Sequence, residues 1–257
     1  SVSLPKALTV GAFGISLSTL VQDYNNTAYK ENYFKFKVDP KTGEPFKPDV
    51  FQNAAGINLY IENDVLVTAP TGTGKTAIAE YVITKNLNDG GRTFYTTPLK
   101  ALSNEKFRDF SKVYGEENVG LITGDIKINT NAPIIIMTTE VYRNMAANDI
   151  FKSNDDVNYG LPEDLKTVIF DELQYLGDID RGGIWEQSIM FTPKNVQMLS
   201  LSATIGNNVK INSWMGAVKG EKSIATTPNK QYSPHISQAR ESILINVPSE
   251  NRHVPLN

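Results

Sequence analysis

Residues 64–81 read Asp-Val-Leu-Val-Thr-Ala-Pro-Thr-Gly-Thr-Gly-Lys-Thr-Ala-Ile-Ala-Glu-Tyr, and the fold class turns on how this stretch is parsed. The apolar run Val65, Leu66, Val67 predicts a buried strand, and the glycine-bearing segment after it predicts a turn. From about Lys75 onward, Ile78, Ala79, Val82 and Ile83 fall on one face of a helix. Strand, turn and helix in that order are the layout of a phosphate-binding loop. Gly72 and Gly74 let the backbone curl so that successive N–H groups point at an anion, and the helix start adds its positive dipole end. Lys75 is expected to reach the β and γ phosphates of a nucleotide and the Thr76 hydroxyl to ligate Mg²⁺, with Thr71 and Thr73 in the same cradle. The strict pattern has glycine five places before Gly74, where this chain has Ala69. Alanine is tolerable there if its φ stays negative. The competing reading is a strand-to-helix turn whose glycines and lysine bind nothing.

At 257 residues the chain is long enough for a sizeable core, and 40% hydrophobic with 21% charged residues is ordinary globular composition. With no cysteine and only His235 and His253, it has neither a disulfide framework nor the ligands of a structural zinc site. The net charge is −3, so any nucleic-acid contact has to be local rather than announced by overall charge. No apolar run reaches the length of a membrane span. The stretch 7–21 is interrupted by Gly11, Gly14, Ser16 and Ser18 and is not read as a signal peptide. The absence of cysteine is compatible with a reducing cytoplasm, the expected location, with the nucleus or an organelle as alternatives.

Residues 1–45 read as an N-terminal extension, polar and aromatic after Tyr24, with Pro40, Gly43 and Pro45 marking a loop. Beyond the phosphate loop, apolar runs alternate with helical patterns. Strands are expected at 92–97, 118–122, 133–138, 167–171, 196–202 and 242–247, and a helix at 99–114 with Leu102, Phe107 and Phe110 inward. Runs that are β-branched and apolar on both faces suit a mostly parallel sheet covered by helices on both faces, an α/β fold. The Asn/Asp-rich stretch 147–164 reads as an irregular loop, and 219–241 as a solvated excursion before the last strand.

A second constellation closes the strand Val168-Ile169-Phe170 with Asp171-Glu172-Leu173-Gln174. Carboxylates at the C-terminal tip of a parallel strand lie at the edge where open α/β sheets bind ligands. Asp171 is placed to hold Mg²⁺ through water and Glu172 to orient the attacking water. Taken alone, such a pair is more often a turn or a helix cap. Upstream, Phe46-Lys47-Pro48-Asp49-Val50-Phe51-Gln52 offers a glutamine amide, donor and acceptor together, as the N6 and N7 edge of adenine requires. A Phe and a Gln at a helix start also pack and solvate without binding anything.

Together these residues resemble the first RecA-like domain of a superfamily-two helicase, most of all the superkiller-type branch of DExH-box RNA helicases. The segment 69–76 matches that family's first motif, alanine start included. Thr97-Pro98-Leu99-Lys100-Ala101-Leu102-Ser103-Asn104-Glu105-Lys106 resembles the motif that tracks the nucleic-acid backbone, and Thr123-Gly124-Asp125 and Thr138-Thr139-Glu140 resemble two more. The resemblance implies nucleic-acid contacts at Pro98, Lys100, Thr123, Gly124, Thr139 and Glu140. It makes 171–174 the hydrolysis motif, continued by Tyr175 to Asp178, Arg181-Gly182 and Trp185-Glu186. It makes Ser202-Ala203-Thr204, with Gln174, the coupling of hydrolysis to strand movement, and Phe46 the ring that stacks on adenine above Gln52. Gln174 departs from the branch, which usually has histidine there, though an amide also bonds both ways. The segment 247–256 is similar to the link leaving this domain.

The resemblance therefore implies the ATP-binding half of an ATP-dependent RNA helicase, spanning 46–257, with ATP and Mg²⁺ as cofactors and single-stranded RNA as partner. A second RecA-like domain, carrying an arginine finger, is not found after Thr204, so the chain reads as part of a longer protein. The alternatives are a DNA helicase of the related repair branch and, in a different class, a nucleotide-dependent assembly switch that unwinds nothing. An intact Glu172 argues against the switch.

Overall fold

A computed structural model describes residues 22, 24, 43–44, 46–150, 160–177, 182–228 and 239–248. The 7–21 stretch, Asp178, Arg181, both histidines, residues 151–159 of the 147–164 loop and the tail beyond 248 lie outside the described residues. The chain divides into two compact units, residues 1–85 with 206–257, and residues 86–205.

In the first unit, α1 (Val50–Tyr60) leads into β1 (Asp64–Thr68), and α2 (Thr76–Asn88) follows the glycine-bearing turn. The later segment adds α6 (Asn208–Lys219), β8 (Lys222–Thr226) and β9 (Glu241–Asn246). β9 lies between β1 and β8 and runs parallel to both, with Asp64 against Ser242 and Lys222 against Glu241. All five residues of β1 are buried, and so are Ile78, Ala79, Val82 and Ile83 of α2, the face read from the sequence. β8 corrects the expectation of a solvated excursion over 219–241. None of its residues is fully buried, so it is a poorly apolar strand whose ladder with β9 carries what its side chains do not. Tyr24, in the extension, is buried edge-on against Tyr60 and Tyr81 and leaves no room for a side chain at Gly56.

In the second unit the strands lie in the order β4 (Lys127–Ile128), β3 (Val119–Ile122), β5 (Ile134–Thr138), β2 (Arg92–Thr97), β6 (Leu165–Phe170), β7 (Gln197–Ser202). Among the described residues all pairings of this unit are parallel except that of β3 with the short β4. The helices are α3 (Lys100–Tyr114), α4 (Thr139–Ile150) and α5 (Gly182–Phe191). Neighbours in a strand point to opposite faces, and Phe94 and Tyr95 show both. Phe94 begins an aromatic chain through Tyr142 and Phe170 to Trp185, on the side of α4 and α5. Tyr95 meets Phe110 of α3 edge-on at 5.2 Å on the other side. Helices thus cover both faces, as expected. In α3, Phe110 is buried, whereas Leu102 and Phe107 are only half-buried and Ser103 takes an inward place. α4 reaches Ile150, so residues 147–150, expected to be irregular, are helical.

One charged cluster sits at the start of β1. Lys219 Nζ lies 3.9 Å from Asp64 Oδ2, with both side chains almost wholly buried. Glu221 is pushed from 4.5 up to about 7, by burial first and then by the Asp64 carboxylate, with Lys219 and Arg240 opposing. Removing one partner of a buried pair leaves an uncompensated charge, so Lys219→Met is expected to cost about 3–5 kcal/mol in urea unfolding. A loss below about 1 kcal/mol would mean that the pair is solvated. The folded chain also keeps a proton on Glu221 between pH 4.5 and 7 that the unfolded chain releases, so this group's contribution to stability falls as pH rises through that window. Glu221→Gln should flatten that fall in unfolding curves, and parallel pH profiles for the two proteins would exclude Glu221 as its source.

Candidate functional site

β1 ends at Thr68, whose hydroxyl donates to Asn246 Oδ1 (2.8 Å), while Asn208 Nδ2 donates to the same oxygen (2.9 Å). This clasp fixes the point where the chain leaves the strand. Gly72 and Gly74 have φ of 81° and 86°, the left-handed region that other residues avoid. At Gly74 a Cβ would lie 2.7 Å from Gln52 Nε2, so any larger residue would also have to displace that amide from the loop. Ala69 is buried and absent from the residues with positive φ, so it meets the condition for replacing glycine. Thr71, Gly72 and Gly74 are exposed, and Thr76 opens α2 half-buried. Thr73 Oγ1 donates to Pro70 O (2.8 Å), and Lys75 Nζ to Ala69 O (2.7 Å) and Pro70 O (3.0 Å). The ammonium thus lies folded onto the carbonyls of its own loop. An anion in the cradle would compete with those carbonyls by a charge-assisted bond.

Gln52 is buried and both ends of its amide are engaged. Its Nε2 donates to Gly74 O (2.9 Å), and its Oε1 accepts from the Asp49 N–H (2.7 Å) as half of a capping box at the start of α1. The Asp-x-x-Gln spacing was legible as a cap, and its hold on the phosphate loop was not. Phe46 stands half-buried just before that cap.

In the second unit, parallel register sets the candidate residues along one edge. Thr97 pairs with Thr138, Ile122 with Met137 and Thr96 with Phe170, so the next residues of each strand emerge together. From β3 across to β7 the edge carries Thr123 and Gly124, then Thr139 and Glu140, then Pro98 and Lys100, then Asp171 to Gln174, then Ser202 to Thr204. Motifs scattered over more than a hundred positions are sorted, nucleic-acid candidates toward β3 and acidic candidates toward β7.

At β6 the Asp171 carboxylate is held at both oxygens, Oδ1 by the Glu172 N–H (3.0 Å) and Oδ2 by the Tyr95 hydroxyl (2.5 Å). Burial pushes this carboxyl above its ordinary value, against Tyr95 and the charge of Lys106. Glu172 has φ of 61°, a conformation that costs a non-glycine residue about 1–2 kcal/mol. Gln174 Nε2 donates to the Glu172 carboxylate, and Gln174 Oε1 accepts from the Ala203 N–H (3.0 Å) and the Ser202 hydroxyl (3.2 Å). One amide therefore links the acidic turn to the end of β7, the two-way bonding expected of a glutamine here. Thr204 is exposed beside that link.

On the other half of the edge, Lys100 Nζ pairs with Asp125 Oδ1 at 2.9 Å, both exposed, and Thr123 Oγ1 donates to the same oxygen (3.0 Å). These contacts hold the Asp125 carboxyl below its ordinary value. Thr139 is buried and donates to Thr97 O (3.1 Å), so its hydroxyl braces two strands, while Glu140 and Gly124 are exposed. Pro98 is half-buried between strand and helix. Tyr95, missed in the sequence, was findable only as a hydroxyl in an apolar strand, since a buried tyrosine needs a partner. Within the first unit the Thr76 hydroxyl is an oxygen donor of the kind a hard cation such as Mg²⁺ takes and the exposed glycine cradle suits phosphate, and within the second the Asp171 carboxylate is likewise a hard oxygen donor.

Residues 50–211 match the model of the DEAD/DEAH box helicase family. The chain is 42% identical over 185 residues to the chloroplastic DExH-box ATP-dependent RNA helicase DExH15 of Arabidopsis thaliana, covering 72% of this chain and 16% of that protein. It is 38% identical over 222 residues to the antiviral helicase SKI2 of Saccharomyces cerevisiae, 86% of this chain and 17% of that one. With human superkiller complex protein 2 it shares 39% over 188 residues, 73% of this chain and 14% of that protein. The resemblance to the superkiller-type branch is met, and the chain spans about a sixth of the length of these relatives. The crystal structure of the UvsW helicase from bacteriophage T4 has the same kind of fold, with a TM-score of 0.56 at 14% identity over 88% of this chain and 67% of that one, in keeping with a RecA-like α/β domain. With the family model matched across the phosphate loop, the acidic turn and the end of β7, the chain belongs to the DEAD/DEAH box helicases.

Proposed function

We propose that this chain is the ATP-binding part of an ATP-dependent RNA helicase of the superkiller type. The observation that carries the reading is the sorted edge of the second unit, where Asp171, Glu172 and Gln174 form one bonded group continuous with Ser202 and Ala203. In this reading the N–H groups of 72–76 take the phosphates and Lys75 leaves its loop carbonyls for the β and γ oxygens. Gln52 and Phe46 receive the adenine. Bound Mg²⁺ neutralises charge developing on the transferred phosphoryl group. Thr76 of the first unit would offer its hydroxyl to the cation and Asp171 of the second its carboxylate through water, and Glu172 would orient the attacking water. Because Gln174 bonds Glu172 on one side and the end of β7 on the other, a change at either is felt by the other.

RNA phosphates are taken by Lys100, Thr123 and Gly124, with Pro98 and Glu140 shaping that edge and the buried Thr139 bracing it from within. Contacts of this kind carry little sequence information. Asp125 balances Lys100 in their absence. A second RecA-like domain of the longer protein supplies the arginine finger, and the site of action is the cytoplasm. A DNA helicase remains the alternative because phosphate contacts do not read the sugar.

Lys75→Ala is expected to weaken ATP binding by about 1.5–3 kcal/mol in calorimetry, the worth of a hydrogen bond to a charged group. Unchanged affinity would remove the loop from nucleotide binding. In the full-length protein, phosphate release should rise with single-stranded RNA more than with DNA of the same sequence, and Glu172→Gln should lower it about 10²–10⁴-fold while ATP still binds. Equal stimulation by DNA would favour the DNA reading, and undiminished turnover in Glu172→Gln would take that residue out of the reaction.

A further inference from the structure

Asp171 is gripped from within the second unit by a residue outside the acidic turn. Tyr95 pairs in register with Ile169, and Asp171 follows two residues later on the same face. Two residues of strand span about 6.6 Å, a distance that a tyrosine side chain lying along the sheet can bridge. Its hydroxyl donates to Asp171 Oδ2 at 2.5 Å, and the side chain is fully buried. The ring is seated by α3, edge-on to Phe110 at 5.2 Å and with Lys106 Nζ 6.0 Å from its centroid. Oδ1 accepts the Glu172 N–H at 3.0 Å. A carboxylate has about four acceptor positions, and this grip uses one on each oxygen, fixing the plane of the group and leaving the others for the water shell of a cation.

We infer that Tyr95 is the positioning residue that sets the Asp171 carboxylate for cation binding, its hydroxyl acting as fixed donor and α3 as the seat of its ring. This rests on the reading of Asp171 as the residue that holds Mg²⁺. Phenylalanine would fill the same space, so the apolar packing of β2 does not call for the hydroxyl. Asp171 does. Without that donor one oxygen of the half-buried Asp171 carboxylate has nothing to fix its direction. Metal-holding groups are oriented by partners of this kind, whose removal typically costs 10–100-fold in metal affinity.

The test is binding of a fluorescent ATP analogue by the 257-residue chain, measured in EDTA and across a Mg²⁺ titration, for the wild type, Tyr95→Phe, Asp171→Asn and the double variant. Thermal unfolding of each confirms that it is folded. Tyr95→Phe is expected to raise the Mg²⁺ concentration at half-effect by about 10–100-fold, to leave metal-free binding unchanged, and to add nothing in the Asp171→Asn background. A wild-type midpoint in Tyr95→Phe overturns the inference, as does equal weakening with and without Mg²⁺ or a full further shift in the double variant. If Tyr95→Phe does not fold, Phe110→Leu takes its place, since it loosens the ring and keeps the hydroxyl. A smaller shift in the same direction supports the inference, and none overturns it. Wild-type chain that binds the analogue but ignores Mg²⁺ removes the reading of Asp171 and this inference with it. Failure to bind the analogue at all is a failure of the nucleotide reading itself.

Discussion

Thr97 lies directly against Thr138, and Thr96 against Phe170, because β2 runs parallel to β5 and β6 alike. Parallel pairing forces every strand of the run to end at one edge, and it requires both faces of the sheet to be covered. The aromatic chain from Phe94 to Trp185 and the opposite contact of Tyr95 with Phe110 supply that cover. Everything proposed for the second unit follows from this constraint. The acidic turn, the end of β7 and the nucleic-acid candidates are neighbours because their strands are, and a register slip of one residue would turn Tyr95 to the wrong face.

Two glutamines act as connectors, for the same chemical reason. An amide presents a donor and an acceptor in one rigid plane, so it can link two backbone segments that differ in what they need. Gln52 joins the start of α1 to the phosphate loop, satisfying an orphan helix N–H with its oxygen and the Gly74 carbonyl with its nitrogen. Gln174 joins the Glu172 carboxylate to the N–H of Ala203. A carboxylate in either place would have no donor, and a neutral imidazole would offer one donor and one acceptor in a different direction. Neither glutamine carries a charge that pH could alter.

Local strain and buried charge are distributed unevenly. Glu172 holds a left-handed backbone at the acidic turn, where its N–H caps Asp171 and its carbonyl accepts from Tyr175. Those bonds offset the conformational cost and aim the Glu172 side chain toward Gln174. In the first unit the buried pair of Asp64 and Lys219, with the half-buried Glu221 beside it, sits at the start of β1, the end of that strand away from the loop, so it bears on stability rather than on the cradle.

The sequence by itself determined the class of fold and the identity of the motifs, because both are local signals. Val65 to Val67 followed by two glycines and Lys75 is a strand, a turn and a helix whatever surrounds them, and β2 was read to the residue from its β-branched and aromatic run. β8 escaped because its short, half-exposed stretch carries no such run, and its place comes from the ladder to β9. The order of strands, the sorting of motifs along one edge and the partners of individual side chains were decided only in the tertiary structure. Tyr95 and Asp171 are 76 residues apart, and nothing in either segment states that they touch. Gln52 shows the division within one residue. Its capping of α1 is written in the Asp-x-x-Gln spacing, whereas its bond to Gly74 exists only because α1 and the loop pack together, and packing is a property of the whole chain.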